Sequence, residues 1–434
     1  MNNGKKPQYG VRLLCAVAMF SAHSVCAHAA EKTISGLKVQ DGQTVAFLGD
    51  SITQHGWRQP GGYVKLLTAG LAAEGLEIRA IPAGVSGNTS ADMLIRLNQD
   101  VISKKPDWMT LSCGINDVWR GIDLPHFKEN VTAILDKAQE AGINVILFTA
   151  TPIGETDNPN NELLVGYNDF LRQIAGERHL LLVDLNTAFW KALQATCSNP
   201  GSGPRLTTDG THMNPLGNVL MAREILACLG VPPARLDAIE QQWRADPSNG
   251  FLSCWLIFRE TTQVTAGEFE KLQSLASERK MTMEQLTRDL IGQALISRLQ
   301  AHMQQDDFPI NQLLQELSME FNELISQSTL DKNTTTPAIR PEGNHPGSTV
   351  QARLDFGIIA TVSIPEFEKL RTIADDRQIS TKQLADELCL DAIRLVVKNA
   401  PAGRPLNFMQ DGDKLEQTYK QVVHDLLADS QNRK

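Results

Sequence analysis

The feature that most constrains this chain is an alternation of two periodicities between Lys32 and Val231. Short β-branched or apolar runs at Thr44–Leu48, Glu77–Pro82, Trp108–Ser112, Asn144–Ala150 and Leu180–Asp184 read as strands. Between them, Tyr63–Glu74, Ala91–Lys104, Pro125–Ala141, Leu163–Ala175 and Phe189–Ala195 show helical spacing. A last helix, Pro215–Cys228, opens on proline and is followed by Gly230. Runs of buried strand joined by helices predict an α/β fold. Its core is a doubly wound, flavodoxin-like parallel sheet of five strands in a three-layer αβα arrangement. At 434 residues the chain is too long for that domain alone. A mainly helical repeat region follows it.

Irregular stretches follow the predicted strand ends, where open α/β sheets bind ligands. The first is Gly49-Asp50-Ser51, which delivers a hydroxyl at the end of the β-branched and apolar strand Thr44–Leu48. Gly84-Val85-Ser86-Gly87-Asn88-Thr89 follows the second strand and Gly114-Ile115-Asn116-Asp117 the third. The last is Thr208-Asp209-Gly210-Thr211-His212-Met213-Asn214. A serine hydroxyl needs a base, an orienting acid and oxyanion donors to become a nucleophile. The Asp209-x-x-His212 spacing can place carboxylate and imidazole on one side of a turn, so that the acid fixes the tautomer. His55, the other loop candidate, has no comparable acid beyond Asp50.

These four segments resemble, in order, the conserved blocks of the SGNH (GDSL-type) hydrolase superfamily. Gly49-Asp50-Ser51 is similar to the first block, Gly87 to the second, Gly114-x-Asn116-Asp117 to the third and Asp209-x-x-His212 to the last. The resemblance implies a serine esterase with Ser51 as nucleophile, His212 as general base and Asp209 orienting it. It places the oxyanion between the backbone N–H groups of Ser51 and Gly87 and the Asn116 amide, and it requires no metal or organic cofactor. The lack of a long apolar lid favours small acyl groups, acetyl esters of saccharides above all, over lysophospholipids or acyl-thioesters. Trp57, in Gln54–Gly62, and Trp119, beside Arg120, are candidate pocket walls.

Residues 1–30 carry Lys5, Lys6 and Arg12 before the apolar run Leu13–Phe20, then small residues ending Ala27-His28-Ala29-Ala30. This is the layout of a secretory signal peptide and predicts a periplasmic or secreted protein. No later segment is apolar enough to span a membrane. Cys15 and Cys26 would leave with the leader; Cys197 and Cys228 could pair in an oxidising compartment. The hydrolase-like part spans 31–232, and 233–250 reads as a linker.

The remainder contains an internal repeat. Glu268-Phe269-Glu270-Lys271-Leu272 recurs as Glu366-Phe367-Glu368-Lys369-Leu370, and the match continues without a gap to Ala294 and Ala392. Each copy, 251–300 and 351–400, reads as one strand (Glu260–Val264, Gly357–Ile364) and two helices. The second helices begin on Thr282-x-x-Gln285 and Ser380-x-x-Gln383, both of capping-box form. Between the copies, 301–350 holds a helix, Asn311–Ser326, and a linker, Asp331–Ser348; the tail, 401–434, holds a helix over Lys414–Leu427. The copies resemble ribbon-helix-helix units. Pairing of the two strands would be internal or between two chains as a homodimer. Nucleic acid is not the expected partner. From Phe251 onward there are 20 Lys and Arg against 26 Asp and Glu, and the whole chain carries −9, so little phosphate-derived affinity is available. The expected partner of the first domain is a small-molecule or saccharide ester.

Overall fold

The computed structural model describes residues 36–195, 204–301, 310–329, 348–399 and 412–432. The leader, Cys197 and the 331–348 linker lie outside these residues, save Ser348 itself. The first part runs β1 (Thr44–Gly49), α1 (Ser51–Arg58), α2 (Tyr63–Ala73), β2 (Arg79–Gly84), α3 (Ser90–Asp100), β3 (Trp108–Leu111), α4 (Ile115–Trp119), α5 (Leu124–Glu140), β4 (Asn144–Phe148), α6 (Pro159–Glu177), β5 (Leu181–Val183), α7 (Leu185–Ala195), α8 (Pro215–Cys228) and α9 (Pro233–Ala245). The five strands form one parallel sheet in the order β2-β1-β3-β4-β5. This is the predicted flavodoxin-like order. β1 is an interior strand and wholly buried, with Phe47 paired with Pro82 on one side and Thr110 on the other. Helices α1, α2, α7, α8 and α9 pack as one set and α3 to α6 as another. Right-handed crossovers put two such sets on opposite faces of the sheet.

One predicted boundary fails here. The supposed linker over 233–250 is mostly helix α9, whose Leu236, Ile239 and Trp243 are buried in the main core. Pro232-Pro233 does not end structure; it opens α9, since proline is tolerated in a first turn. Gly70 in α2 permits the close approach: a Cβ there would stand 2.6 Å from Leu226 and 3.0 Å from Trp243.

The second part runs β6 (Gly250–Val264), α10 (Ala266–Glu278), α11 (Met283–Ala301), α12 (Ile310–Thr329), β7 (Ser348–Val362), α13 (Ile364–Asp376), α14 (Thr381–Lys398) and α15 (Gly412–Asn432). β6 and β7 pair antiparallel along their whole length, from Gly250 opposite Val362 to Val264 opposite Ser348. The strands are therefore longer than the sequence reading, because each satisfies its backbone groups on the other. Ile364, read as strand, instead begins α13, capped by Ser363 and Glu366. The caps at Thr282/Gln285 and Ser380/Gln383 form as expected. A second core gathers Leu272, Leu286, Phe321, Phe367, Leu384 and Tyr419.

The two parts are joined by more than chain continuity. Ile364 is fully buried in the first core, not the second. Arg244 of α9 pairs with Glu368 of α13 at 3.0 Å, and Leu216 of α8 packs against both cores. Replacing Ile364 by alanine should cost about 2–5 kcal/mol in urea unfolding, as for a buried large-to-small change. A loss below about 1 kcal/mol would contradict its role as a shared core residue.

Candidate active site

Ser51 is positioned by an abrupt strand-to-helix turn. β1 stops at Gly49, where any Cβ would lie 2.1 Å from Thr53 Oγ1. Asp50 then caps α1, accepting from the Ile52 N–H at 2.9 Å. As the first helical residue, Ser51 has a backbone N–H with no intrahelical acceptor. His212 Nε2 stands 2.8 Å from Ser51 Oγ, and its Nδ1 stands 2.7 Å from Asp209 Oδ2. Asp209 Oδ1 accepts the N–H groups of Thr211 and His212 at 3.0 and 2.8 Å. One carboxylate thus shapes the turn and orients the ring.

The loop that carries this pair is itself held from outside. Glu155 accepts from the N–H groups of Arg205 and Leu206 and from Thr207 Oγ1 at 2.6, 2.9 and 2.6 Å. Thr207 Oγ1 in turn accepts the Gly210 N–H at 3.0 Å. Sequence reasoning missed Glu155, whose partners lie about fifty residues away.

The predicted oxyanion donors converge on the same place. Gly87 has a φ of +77°, the left-handed region that favours glycine. The Asn116 amide donates to Asn88 O at 3.0 Å and to Asp50 Oδ2 at 3.3 Å. Arg96 ties this group to the sheet, donating to Asn88 Oδ1 and Gly49 O. Asp117, the last residue of its block, is buried and accepts from Ser90 N and Oγ. Its part is structural.

Ser51, Gly87, Asn116, Asp209 and His212 all line one cavity of about 680 Å³. Trp119 lines it too and is half-exposed. Trp57 does not line it. Ser51, His55 and Gln59 follow one another at four-residue spacing from α1 onto its C-cap, and that stripe faces the cavity. Residue 57 lies off the stripe, and its ring packs against the core. Ser86 and Thr208, which line it as well, belong to stretches already singled out. Two further lining residues, Ser253 of β6 and Lys382 of α14, come from the second part of the chain.

The electrostatics are those of an imidazole held by an ionised carboxylate. Burial pushes the His212 pKa down, but the Asp209 hydrogen bond and charge outweigh it and hold the imidazole above its ordinary 6.5. Burial likewise works against the Asp209 carboxylate, yet the His212 bond and charge bring it down to about 2. The His55 ring lies against His212, with centroids 4.7 Å apart and planes tilted by 43°. Burial, then the charge of His212, lowers its pKa to about 4, so it stays neutral beside His212 at neutral pH. Burial raises Asp50 to about 6 against the Ile52 bond. Among the described residues, no cluster of three or more His, Cys, Asp or Glu is arranged to hold a metal ion. No helix among them is long and apolar enough to cross a membrane.

Comparison with known proteins identifies the family. The GDSL-like Lipase/Acylhydrolase family matches residues 47–220. An acetylxylan esterase from Geobacillus stearothermophilus is 33% identical over 218 residues, 45% of this chain and 97% of that protein. An esterase from Pseudomonas aeruginosa is 36% identical over 107 residues, 24% of this chain and 53% of that one. A crystal structure of an acetylxylan esterase from Geobacillus stearothermophilus aligns at 30% identity and a TM-score of 0.39, over 45% of this chain and 98% of that chain. With one relative matched across nearly its whole length, the chain belongs to the GDSL-like lipase/acylhydrolase family of carboxylic ester hydrolases.

Proposed function

We propose that the protein hydrolyses small acyl esters of carbohydrates, acetyl esters first, through an acyl-Ser51 intermediate. The observation that carries this reading is the His212 ring bridging Asp209 and Ser51 at 2.7 and 2.8 Å. Ser51 Oγ attacks the ester carbonyl while His212 Nε2 takes its proton. The resulting oxyanion is met by the Ser51 and Gly87 N–H groups and the Asn116 amide. His212 then returns the proton to the leaving alcohol, and water repeats the sequence to release the acid. The acetyl preference is supported by the relative named for acetylxylan. The leader-like residues 1–30 support export. The paired strand–helix–helix copies are read as an internally paired, ribbon-helix-helix-like interaction or dimerisation module whose acidic balance disfavours nucleic acid.

Nitrophenyl esters from acetyl to palmitoyl test the substrate class: the reading expects a maximum at acetyl, and a maximum at long chains would move the substrate to lipids or thioesters. Ser51→Ala should lower kcat about 10,000-fold or more, and Asn116→Ala about 100- to 1,000-fold. A mutant that keeps most of its activity would refute the corresponding role.

The pH profile gives an independent check. Only neutral His212 can accept the Ser51 proton, so kcat/KM should fall as pH drops through the His212 pKa, above 6.5. In Asp209→Asn the two larger raising contributions are gone and burial, the largest effect, faces only the smaller one from Asp50, so the acid limb of the residual activity should move to lower pH. A limb that stays in place would contradict the Asp209–His212 coupling.

A further inference from the structure

The cavity that contains Ser51 is closed partly by the second part of the chain, through Ser253 and Lys382. Lys382 is the second residue of α14, in its first turn. A cation there opposes the helix dipole. Its partner is Asp386 one turn later, at 2.5 Å, which is the weaker order for an i,i+4 pair. Helix stability therefore does not account for a lysine at this position.

The other copy of the repeat makes the comparison direct. In the gap-free register that aligns Glu268 with Glu366, Lys382 corresponds to Glu284 and Asp386 to Arg288. Glu284 and Arg288 form the same i,i+4 pair at 2.8 Å with both signs exchanged. That is the arrangement favoured by the dipole and by pair order. The copy whose helix start lines the cavity carries the cation, and the copy whose helix start does not carries the anion. Among the described lining residues, Lys382 is the only lysine or arginine. The carboxylate facing the same cavity, Asp209, is occupied by His212. The Lys382 side chain is 42% exposed whereas Asp386 is only 15% exposed, so the ammonium can meet a ligand in the cavity while its carboxylate partner stays in place.

We propose that Lys382 is a specificity-determining residue that receives an anionic group of the substrate, so that the preferred esters bear a carboxylate near the acyl group, as in an acetylated uronic acid. This rests on Ser51 esterase chemistry and adds to it the charge of the substrate. The C-terminal module then acts as a wall of the active site.

The test uses the full chain and two substrates that differ in one group: a mono-O-acetyl methyl glucuronoside and the matching mono-O-acetyl methyl glucoside, with nitrophenyl acetate as a neutral reference. The wild type should favour the glucuronoside by about fivefold in kcat/KM at low ionic strength. Lys382→Met should bring that ratio to near one, Lys382→Glu should invert it, and Lys382→Arg should preserve it. Circular dichroism and thermal melting check that each variant is folded, and the ratio between the two sugars, not the absolute rate, is the readout. A wild-type ratio near one, or a ratio unchanged in Lys382→Met, would overturn the proposal while leaving the esterase reading intact. Failure of the wild type on nitrophenyl acetate and on both sugars would overturn both.

Discussion

The hydrogen bond between Ser51 and His212 joins residues 161 positions apart, and the rest of the site depends on that closure. It requires β1 to end where the loop before α8 arrives, which a parallel sheet with β1 near its centre provides. Each end is then fixed locally. Gly49 lets Asp50 cap α1 and leaves Ser51 at the helix start. Asp209 uses one oxygen to form the turn and the other to hold the ring. Because rotamers and caps set the geometry before substrate arrives, little reorganisation is left for the reaction itself.

Much of this was legible because strand periodicity and short motifs are local signals. The five strands were found within a few residues and α8 at its observed limits. Ser51, Gly87, Asn116, Asp209 and His212 were legible as motif residues, and the fold gathers them around one cavity. What was not legible has a common cause. α1 and α4 are only eight and five residues long, too few turns for a helical pattern to stand out from the loops around them. α9 hides behind a proline pair that sequence rules read as a stop. Trp57 and Trp119 are equivalent as exposed aromatics in a string of letters; only the helical phase of α1 separates the one in the core from the one in the cavity. Glu155, Ser253 and Lys382 reach the site through tertiary approach, for which no local pattern exists.

The second part of the chain is structurally continuous with the first in a specific sense. Its β6–β7 ribbon pairs the two copies with each other along the whole length of both strands, and they share one core. Yet Ile364 is inserted in the hydrolase core and Arg244 reaches back to Glu368. The matched 45% of this chain covers 97% of the acetylxylan esterase relative. The repeats add a wall and a charge to a site whose reacting groups lie in the first part.

The most direct test of the central claim, that Ser51 is the nucleophile activated by His212, is to identify the residue labelled by a fluorophosphonate. After brief exposure of wild type, His212→Ala and Asp209→Asn, peptide mass spectrometry locates the adduct. The account predicts one adduct, on Ser51, formed readily in the wild type, slowly in Asp209→Asn and negligibly in His212→Ala. Esterase activity that survives labelling of Ser51, or an adduct that forms equally fast without His212, would contradict it.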